Sequence, residues 1–163
     1  MLKFDDVVTM ANYGLFKATS HTLTSQGAYT LTKLKSEVER LAKEWMESYN
    51  KLPQEVGIED TKVFDARQEE LSKKKRTKAE DKELEENNRK ALRLRELRGN
   101  LNGDEVTINI KPMSWEDWHN LKQENKDILV SIRDVQGNEV DKKELFEFVE
   151  LVGENVIWKA PEE

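Results

Sequence analysis

A run of basic side chains is the first feature of the sequence whose residue types and spacing could do chemistry. Five positively charged residues fall within six positions: Lys73, Lys74, Lys75, Arg76 and Lys78. Such a run is typical of a nucleic-acid contact or a targeting signal. Acidic residues flank it on both sides, however, and no Tyr or Phe is interleaved to stack on bases. Because those acids lie within a Debye length of roughly 8 Å, we expect salt bridges within the chain rather than binding to nucleic acid.

An aromatic group formed by Trp115, Trp118 and His119 could bind a partner protein, because Trp is enriched among the residues that dominate interface energetics. Aromatic residues on one helix face more commonly pack into a core, and both interpretations are open at this point. His119 and His21 are the only histidines, neither belongs to an H-x-H or H-x-x-x-H pair, and cysteine is absent. We therefore expect no metal site.

The sequence contains no catalytic motif. Its seven glycines form neither G-x-x-x-x-G-K nor G-x-G-x-x-G, so no phosphate cradle is predicted. A G-x-S-x-G nucleophile elbow is also missing, and the lack of cysteine excludes a thiol nucleophile and a disulfide scaffold. Glu116 and Asp117 are adjacent, so on a helix they point about 100° apart and do not form an acid–base pair. We expect a protein that is not an enzyme and needs no cofactor.

The composition limits the size of the core. Among 163 residues, 36% are hydrophobic and 37% are charged, against about 45–50% and about 25% in typical soluble domains. A single domain, residues 1–163, satisfies both values if a charged helical hairpin (29–99) projects from a small α+β unit. That unit would be formed by residues 1–28 and 103–160, giving a mainly helical α+β fold with two or three strands.

Charge and hydropathy restrict the partners. The net charge of −6 argues against general affinity for nucleic acid, which needs a clustered basic surface. No apolar run approaches the roughly 20 residues that span a bilayer, so no membrane partner is expected. The start of the sequence, MLKFDDVV, has acids where a signal peptide has a basic and then an apolar stretch. We expect synthesis as a soluble cytoplasmic chain.

One amphipathic helix, residues 31–52, organises the other elements. Its apolar residues recur at steps of three and four, the spacing of one helix face, at Leu31, Leu34, Val38, Leu41, Trp45 and Leu52. Pro53 predicts that it ends at Lys51 or Leu52. We expect this stripe to pack, as in a coiled coil, on a second helical stretch at 61–99 that begins at an Asp60 or Thr61 cap. The residues assigned to that packing are Phe64, Leu71, Leu84, Ala91 and Leu94.

The flanking segments predict shorter elements. Ser114 begins a helix with an S-x-x-D capping box, and Asp141 is expected to begin another, with Leu145, Phe148, Val149 and Val152 as its buried face. Residues 127–135 fit a helix or a strand, and their β-branched residues favour a strand slightly. The remaining predictions are a helix at 4–13 stopped by Gly14, an extended or looped segment at 15–29, strands at 106–110 and 156–158, and a solvated helix or frayed turn at 72–90.

The order of these segments carries one resemblance. AYTLTKLKSEVERLAKEWMESYNKL is followed by a charged helical return and then by VTINIKPMSWEDW. Over about residues 28–121 this layout resembles small uncharacterised proteins from the virion and tail gene clusters of tailed bacteriophages. In those proteins a Pro-Ile-Ser-like helix start follows the strand; here it reads Lys111-Pro112-Met113-Ser114. The resemblance implies a role in the virion or its assembly, and it transfers no catalytic residue.

Three functions are therefore expected, in decreasing order. The first is a non-enzymatic protein–protein interaction or assembly protein, whose partners are other proteins, including a second copy of this chain in a homo-oligomer. The second is an acidic phage-encoded inhibitor that mimics nucleic acid and occupies a basic groove on a host protein. The third is nucleic-acid binding through the basic run.

Overall fold

The computed structural model describes residues 2–12, 14–133 and 138–153 of the chain and confirms a mainly helical α+β fold. Its helices are α1 (Phe4–Asn12), α2 (Ser25–Glu55), α3 (Thr61–Lys73), α4 (Lys78–Gly103), α5 (Trp115–Glu124) and α6 (Leu145–Val152). A 3-10 turn covers Leu15–Lys17. Strands β1 (Leu129–Arg133) and β2 (Glu139–Glu144) pair antiparallel.

The chain divides into two compact units. Unit 1 comprises Met1–Glu44 and Asp104–Glu163, and unit 2 comprises Trp45–Gly103. One border therefore falls inside α2, whereas the sequence placed the start of a projecting hairpin at residue 29. The structure describes every residue of unit 2.

The start of α2 shows why its sequence folds locally as it does. Thr24 is the residue before the helix, and its Oγ1 accepts a hydrogen bond from the backbone N–H of Gly27 at 3.1 Å. That is the geometry of an N-cap, and it starts α2 at Ser25 rather than near Tyr29 as expected. Gly14, with a φ of 111°, follows α1 as predicted.

The predicted end of α2 was wrong, because the helix continues through Pro53 to Glu55. A proline removes one donor and disfavours the helical conformation just before it. In the last turn of α2 this cost is offset by hydrogen bonds that cap the C-terminus of the helix. Gly57 has a φ of 82°, its N–H bonds the Gln54 carbonyl at 3.1 Å, and the Ile58 N–H bonds the Pro53 carbonyl at 2.8 Å. These two bonds make a Schellman motif.

The core of unit 1 contains the first half of the predicted stripe. Leu31, Leu34, Val38 and Leu41 are buried, as expected, but they belong to unit 1 and not to the unit that holds 61–99. The predicted stripe is therefore shared between two units, because Trp45 and Leu52 belong to unit 2. The other elements add buried residues to this unit: Phe4, Val7, Met10, Ile108, Trp118, Leu121, Val130, Leu145, Phe146, Phe148 and Val149.

Two predictions for the second half of unit 1 were wrong. Residues 106–110 do not form a strand; next to them lies only an isolated bridge between Lys3 and Glu105. The predicted alternation survives, since Ile108 is buried between exposed neighbours, but the described residues offer no neighbouring strand to complete a ladder. Asp141 lies in β2, opposite Ile132, so pairing with β1 delays the last helix to Leu145. The strand predicted at 156–158 lies outside the described residues.

Unit 2 is built around α4. The N-terminal half of α4 runs antiparallel to α3, because Gln68 bonds Asn88 while Lys74, just after α3, pairs with the earlier residue Glu80. Its C-terminal half runs antiparallel to the end of α2, where Trp45 bonds Asn102. Within unit 2, α3 and α4 thus form a helical hairpin, and Trp45 and Tyr49 at the end of α2 contact α4.

The core of unit 2 is thin. Its buried residues are Pro53, Ile58, Leu71 and Leu94. Four more residues that were assigned to hairpin packing are only half-buried: Trp45, Leu52, Phe64 and Leu84. Ala91 was assigned wrongly, because it is exposed. The inner face of α4 follows Leu84, Asn87, Lys90 and Leu94 in steps of three and four, which turns Ala91 about 100° away from Lys90.

Candidate protein-interaction site

The basic run lies at the turn between α3 and α4 and is largely neutralised within the chain. Lys73 pairs with Glu69 at 2.5 Å, Arg76 pairs with Asp81 at 2.7 Å, and Lys74 pairs with both Glu70 and Glu80. The expected salt bridges are therefore present. Lys75 and Lys78 have no ion pair among the described residues, and two isolated lysines do not make a nucleic-acid surface.

The aromatic group on α5 consists of one buried residue, Trp118, and two exposed residues, Trp115 and His119. Trp118 is 0% exposed, its Nε1 donates to Glu150 Oε1 at 2.8 Å, and its ring meets Phe146 edge-on at 5.3 Å. It is a core residue, which corrects its assignment as a partner anchor. Trp115 and His119 lie four residues apart on the outer face, with ring centroids 6.1 Å apart.

Asp117, next to that group, joins two helix starts. Its carboxylate accepts hydrogen bonds from the Thr24 N–H at 3.0 Å and from Thr24 Oγ1 at 2.5 Å, and its own N–H donates to the Ser114 cap at 3.2 Å. Burial would raise the pKa of Asp117, but the hydrogen bonds from Thr24 and Ser114 outweigh it and lower the pKa. The Asp117 carboxylate thus lies at the N-terminus of α2, where the helix dipole favours a negative charge.

The Ser/Thr-rich segment before α2 is held against the end of α5 by two further polar residues. Asn125 is buried, and its Nδ2 donates to the Thr19 and Leu121 carbonyls at 2.8 and 2.7 Å. The Thr19 N–H donates back to Asn125 Oδ1 at 3.1 Å, and Glu124 accepts from the His21 N–H at 3.2 Å. The contacts of Asn125 and Glu124 thus hold residues 19–21 against the end of α5.

A cleft in unit 2 is the best candidate for a binding site. Its volume is about 580 Å³, and its walls come from all three helices of the unit. Tyr49, Asn50 and Gln54 of α2 line one side, the start of α3 lines another, and Arg98 of α4 lies opposite. The antiparallel arrangement of α2 and α4 brings these side chains together.

Three side chains at this cleft form a stack, which we call the Trp45–Tyr49–Arg98 stack. The Trp45 and Tyr49 rings lie 4.7 Å apart with an interplanar angle of 28°, and the Arg98 guanidinium carbon lies 4.7 Å from the Tyr49 ring centroid. Trp45 is fixed by its Nε1, which donates to Asn102 Oδ1 at 2.8 Å. Cation–π contact and aromatic stacking thus hold the guanidinium in place.

Arg98 differs from most arginines of unit 2 in having no acidic partner. Arg67, Arg76, Arg89 and Arg93 each contact a carboxylate. Arg98 is half-buried, and its Nε is enclosed without any hydrogen-bond acceptor. An enclosed donor with no acceptor costs on the order of 1–3 kcal/mol. The cleft therefore contains a positive charge whose pairing is incomplete among the described residues.

The sequence interpretation missed this site. It assigned Trp45 to packing and did not single out Tyr49 or Arg98. The visible signals were two pairs with four-residue spacing, Trp45 with Tyr49 and Arg98 with Asn102, each of which shares one helix face. The sequence does not reveal how α2 and α4 align, and this alignment is what brings the pair on α2 into contact with the pair on α4.

None of the described helices is both long and apolar enough to cross a membrane. No group of three or more His, Asp or Glu side chains in the described part of the chain could hold a metal ion. No family model, no curated protein and no solved structure matches the chain.

Proposed function

We propose that this protein is a non-enzymatic protein-interaction or assembly protein, and that unit 2 binds its partner through the cleft beside the Trp45–Tyr49–Arg98 stack. The observation that carries the proposal is the half-buried guanidinium of Arg98, stacked on Tyr49 without an acidic partner. Trp, Tyr and Arg are the residue types that most often dominate interface energetics. Here Tyr49 and Arg98 line one concave surface, and Trp45 stacks on Tyr49.

The thin core of unit 2 supports the same proposal. Large apolar side chains remain on its surface, with Met46 exposed by 56%, Val63 by 66% and Leu92 by 59%. A small unit that leaves such residues exposed can gain stability by burying apolar surface against another protein. We also propose a role in virion assembly, which is supported only by the resemblance to proteins of bacteriophage virion and tail gene clusters.

The two other expected functions receive less support. An acidic mimic of nucleic acid needs carboxylates that are free to meet a basic groove. In the α3–α4 hairpin, many carboxylates already contact basic side chains of the same hairpin, among them Glu69, Glu70, Glu80, Glu83 and Glu85. The same pairs reduce the charge that the basic run offers to a phosphate backbone.

The test is a pull-down from a lysate of the native source with the wild type and two tyrosine variants. Tyr49→Ala removes the middle of the stack. Tyr29→Ala is the matched control, because Tyr29 is also on α2, is 62% exposed, and has Lys33 Nζ 5.5 Å from its ring centroid. We expect a partner that the wild type and Tyr29→Ala retain and Tyr49→Ala loses. A partner retained equally by all three proteins would contradict the proposed site.

A further inference from the structure

We infer that the cleft of unit 2 receives a carboxylate, presented by an Asp or Glu side chain of an acidic segment of another protein, and that Arg98 is the residue that binds it. This inference rests on the proposed function and adds the chemistry of the partner. It starts from the incomplete pairing of Arg98, whose enclosed Nε has no hydrogen-bond acceptor and which, unlike Arg67, Arg89 and Arg93, forms no ion pair among the described residues.

The charges that line the cleft favour one carboxylate over a phosphate. The α2 wall is uncharged, and the start of α3 contributes Glu59, Asp60 and Lys62. Asp60 is already engaged, because its Oδ1 accepts from the backbone N–H groups of Lys62 and Val63 at 2.9 and 3.1 Å. A doubly charged phosphate would meet two carboxylates in this cleft. A single carboxylate can pair with Arg98 at a smaller cost in repulsion.

The stack makes Arg98 a better carboxylate receptor than an ordinary surface arginine. Tyr49 covers one face of the guanidinium and so reduces the access of water to it. The positive charge of the guanidinium is delocalised over its three nitrogens. An anion bound at the two terminal nitrogens therefore also reduces the free-energy cost of burying the part of the charge at Nε. Its planar fork can give a carboxylate two parallel hydrogen bonds, which a lysine cannot reproduce.

The experiment selects binders from a displayed library of random peptides on the wild type, on Arg98→Lys and on Arg95→Lys. Arg95 is the matched control, because it is an exposed arginine of α4 outside the cleft. We expect peptides selected on the wild type and on Arg95→Lys to share an Asp or Glu at one position. That enrichment should be lost on Arg98→Lys, although the positive charge is kept.

A titration of the most enriched peptide and its Glu→Gln or Asp→Asn form then measures the pairing. The wild type should bind the acidic form about tenfold or more tightly than the amide form, and Arg98→Lys should bind both forms alike. Amide NMR spectra of each variant, matching those of the wild type, show that the fold is retained.

The contrary outcomes separate the two proposals. If the selected peptides lack a shared acid but still depend on Tyr49, the carboxylate inference fails and the proposed site stands. If binding is unchanged by Tyr49→Ala, or if no peptide is enriched on the wild type, both fail. Dimerisation of the protein through the cleft, detected by light scattering and abolished by Arg98→Lys, would replace the foreign acidic segment by a second copy and so overturn the assigned partner.

Discussion

Unit 1 and unit 2 differ in what holds them together. In unit 1, Leu34, Trp118 and Phe146 are at most 1% exposed, and buried polar residues such as Asp117 and Asn125 fix a loop against a helix. Unit 2 has only four buried side chains, and ion pairs with exposed members connect its helices. The N-terminal part of α2 contributes to one kind of structure and its C-terminal part to the other.

This difference suggests a division of tasks. Exposed ion pairs typically contribute little, since solvent screens them and long side chains must be ordered. Unit 2 should therefore open locally at a lower free energy than unit 1. Under the proposed function, such a region with a preformed arginine stack is the part that would adjust to a partner.

Truncating a leucine should have very different effects in the two units. Leu34→Ala removes a side chain that is 0% exposed and should lower the free energy of unfolding by about 2–5 kcal/mol, through lost burial and a cavity. Leu92→Ala alters a side chain of unit 2 that is 59% exposed, and it should change the free energy of unfolding by less than about 0.5 kcal/mol. Urea denaturation measures both. Equal costs would contradict the burial described for the stripe.

Adding a methyl group should have opposite signs in the two units. A Cβ at Gly27 would overlap the Asp117 carboxylate, so Gly27→Ala should destabilise by about 1–3 kcal/mol. A Cβ at Gly99, four residues before the end of α4, meets nothing within 4 Å. Gly99→Ala should therefore stabilise by up to about 1 kcal/mol, because alanine is the better helix former. Thermal unfolding of both variants checks the signs, and a stabilising Gly27→Ala would rule out the close approach.

Asp117 should make unit 1 sensitive to acid. Asp117→Asn replaces an acceptor of two Thr24 hydrogen bonds by an amide, and we expect a loss of about 1–2 kcal/mol at neutral pH. Because the pKa of Asp117 is lowered in the folded state from its ordinary value of 3.8, its stabilising contribution is present above that value and is lost as the pH falls through the folded-state pKa. Denaturation curves of the two proteins should converge below pH 3.8. A constant difference down to pH 2 would refute this assignment.

Removing an ion pair of unit 2 should have the smallest effect. Arg67 and Glu83 are joined at 2.7 Å, with their side chains 36% and 40% exposed, and the hydrogen bond from Arg67 lowers the pKa of Glu83. A double variant, Arg67→Gln with Glu83→Gln, should lower the melting temperature slightly. In 1 M salt, where the Debye length is roughly 3 Å, the difference from the wild type should vanish. A large difference that persists in high salt would mean that this pair stabilises unit 2 more than its exposure allows.

The local features of the fold could be predicted from the sequence, because nearby residues determine them. The caps at Asp60 and Ser114 and the stop at Gly14 follow from side chains and backbone freedom within one turn. Wrong predictions arose where a distant partner decides the outcome. Asp141 has a good helix-start sequence but pairs with β1, and residues 106–110 alternate like a strand but have no adjacent strand among the described residues.

The candidate site could be predicted only in its parts. The helical spacing of Trp45 and Tyr49 is plain in the sequence, and so is the basic character of the end of α4. Their meeting depends on how α2 and α4 align, and that alignment follows from the continuation of α2 through Pro53 to its stop at Gly57. The sequence predicted that the helix ends at Lys51 or Leu52, and from that prediction the alignment of α2 with α4 cannot be derived.

Hydrogen exchange along α2 tests the central comparison most directly, because this single helix belongs to both units. Amide exchange of the native protein, read residue by residue by NMR, gives the free energy of local opening at each position. We predict strong protection from Leu31 to Leu41 and a distinct fall in protection after Glu44, continuing into α3 and α4. Uniform protection from Leu31 to Leu52 would contradict the account, because the two units would then open as one.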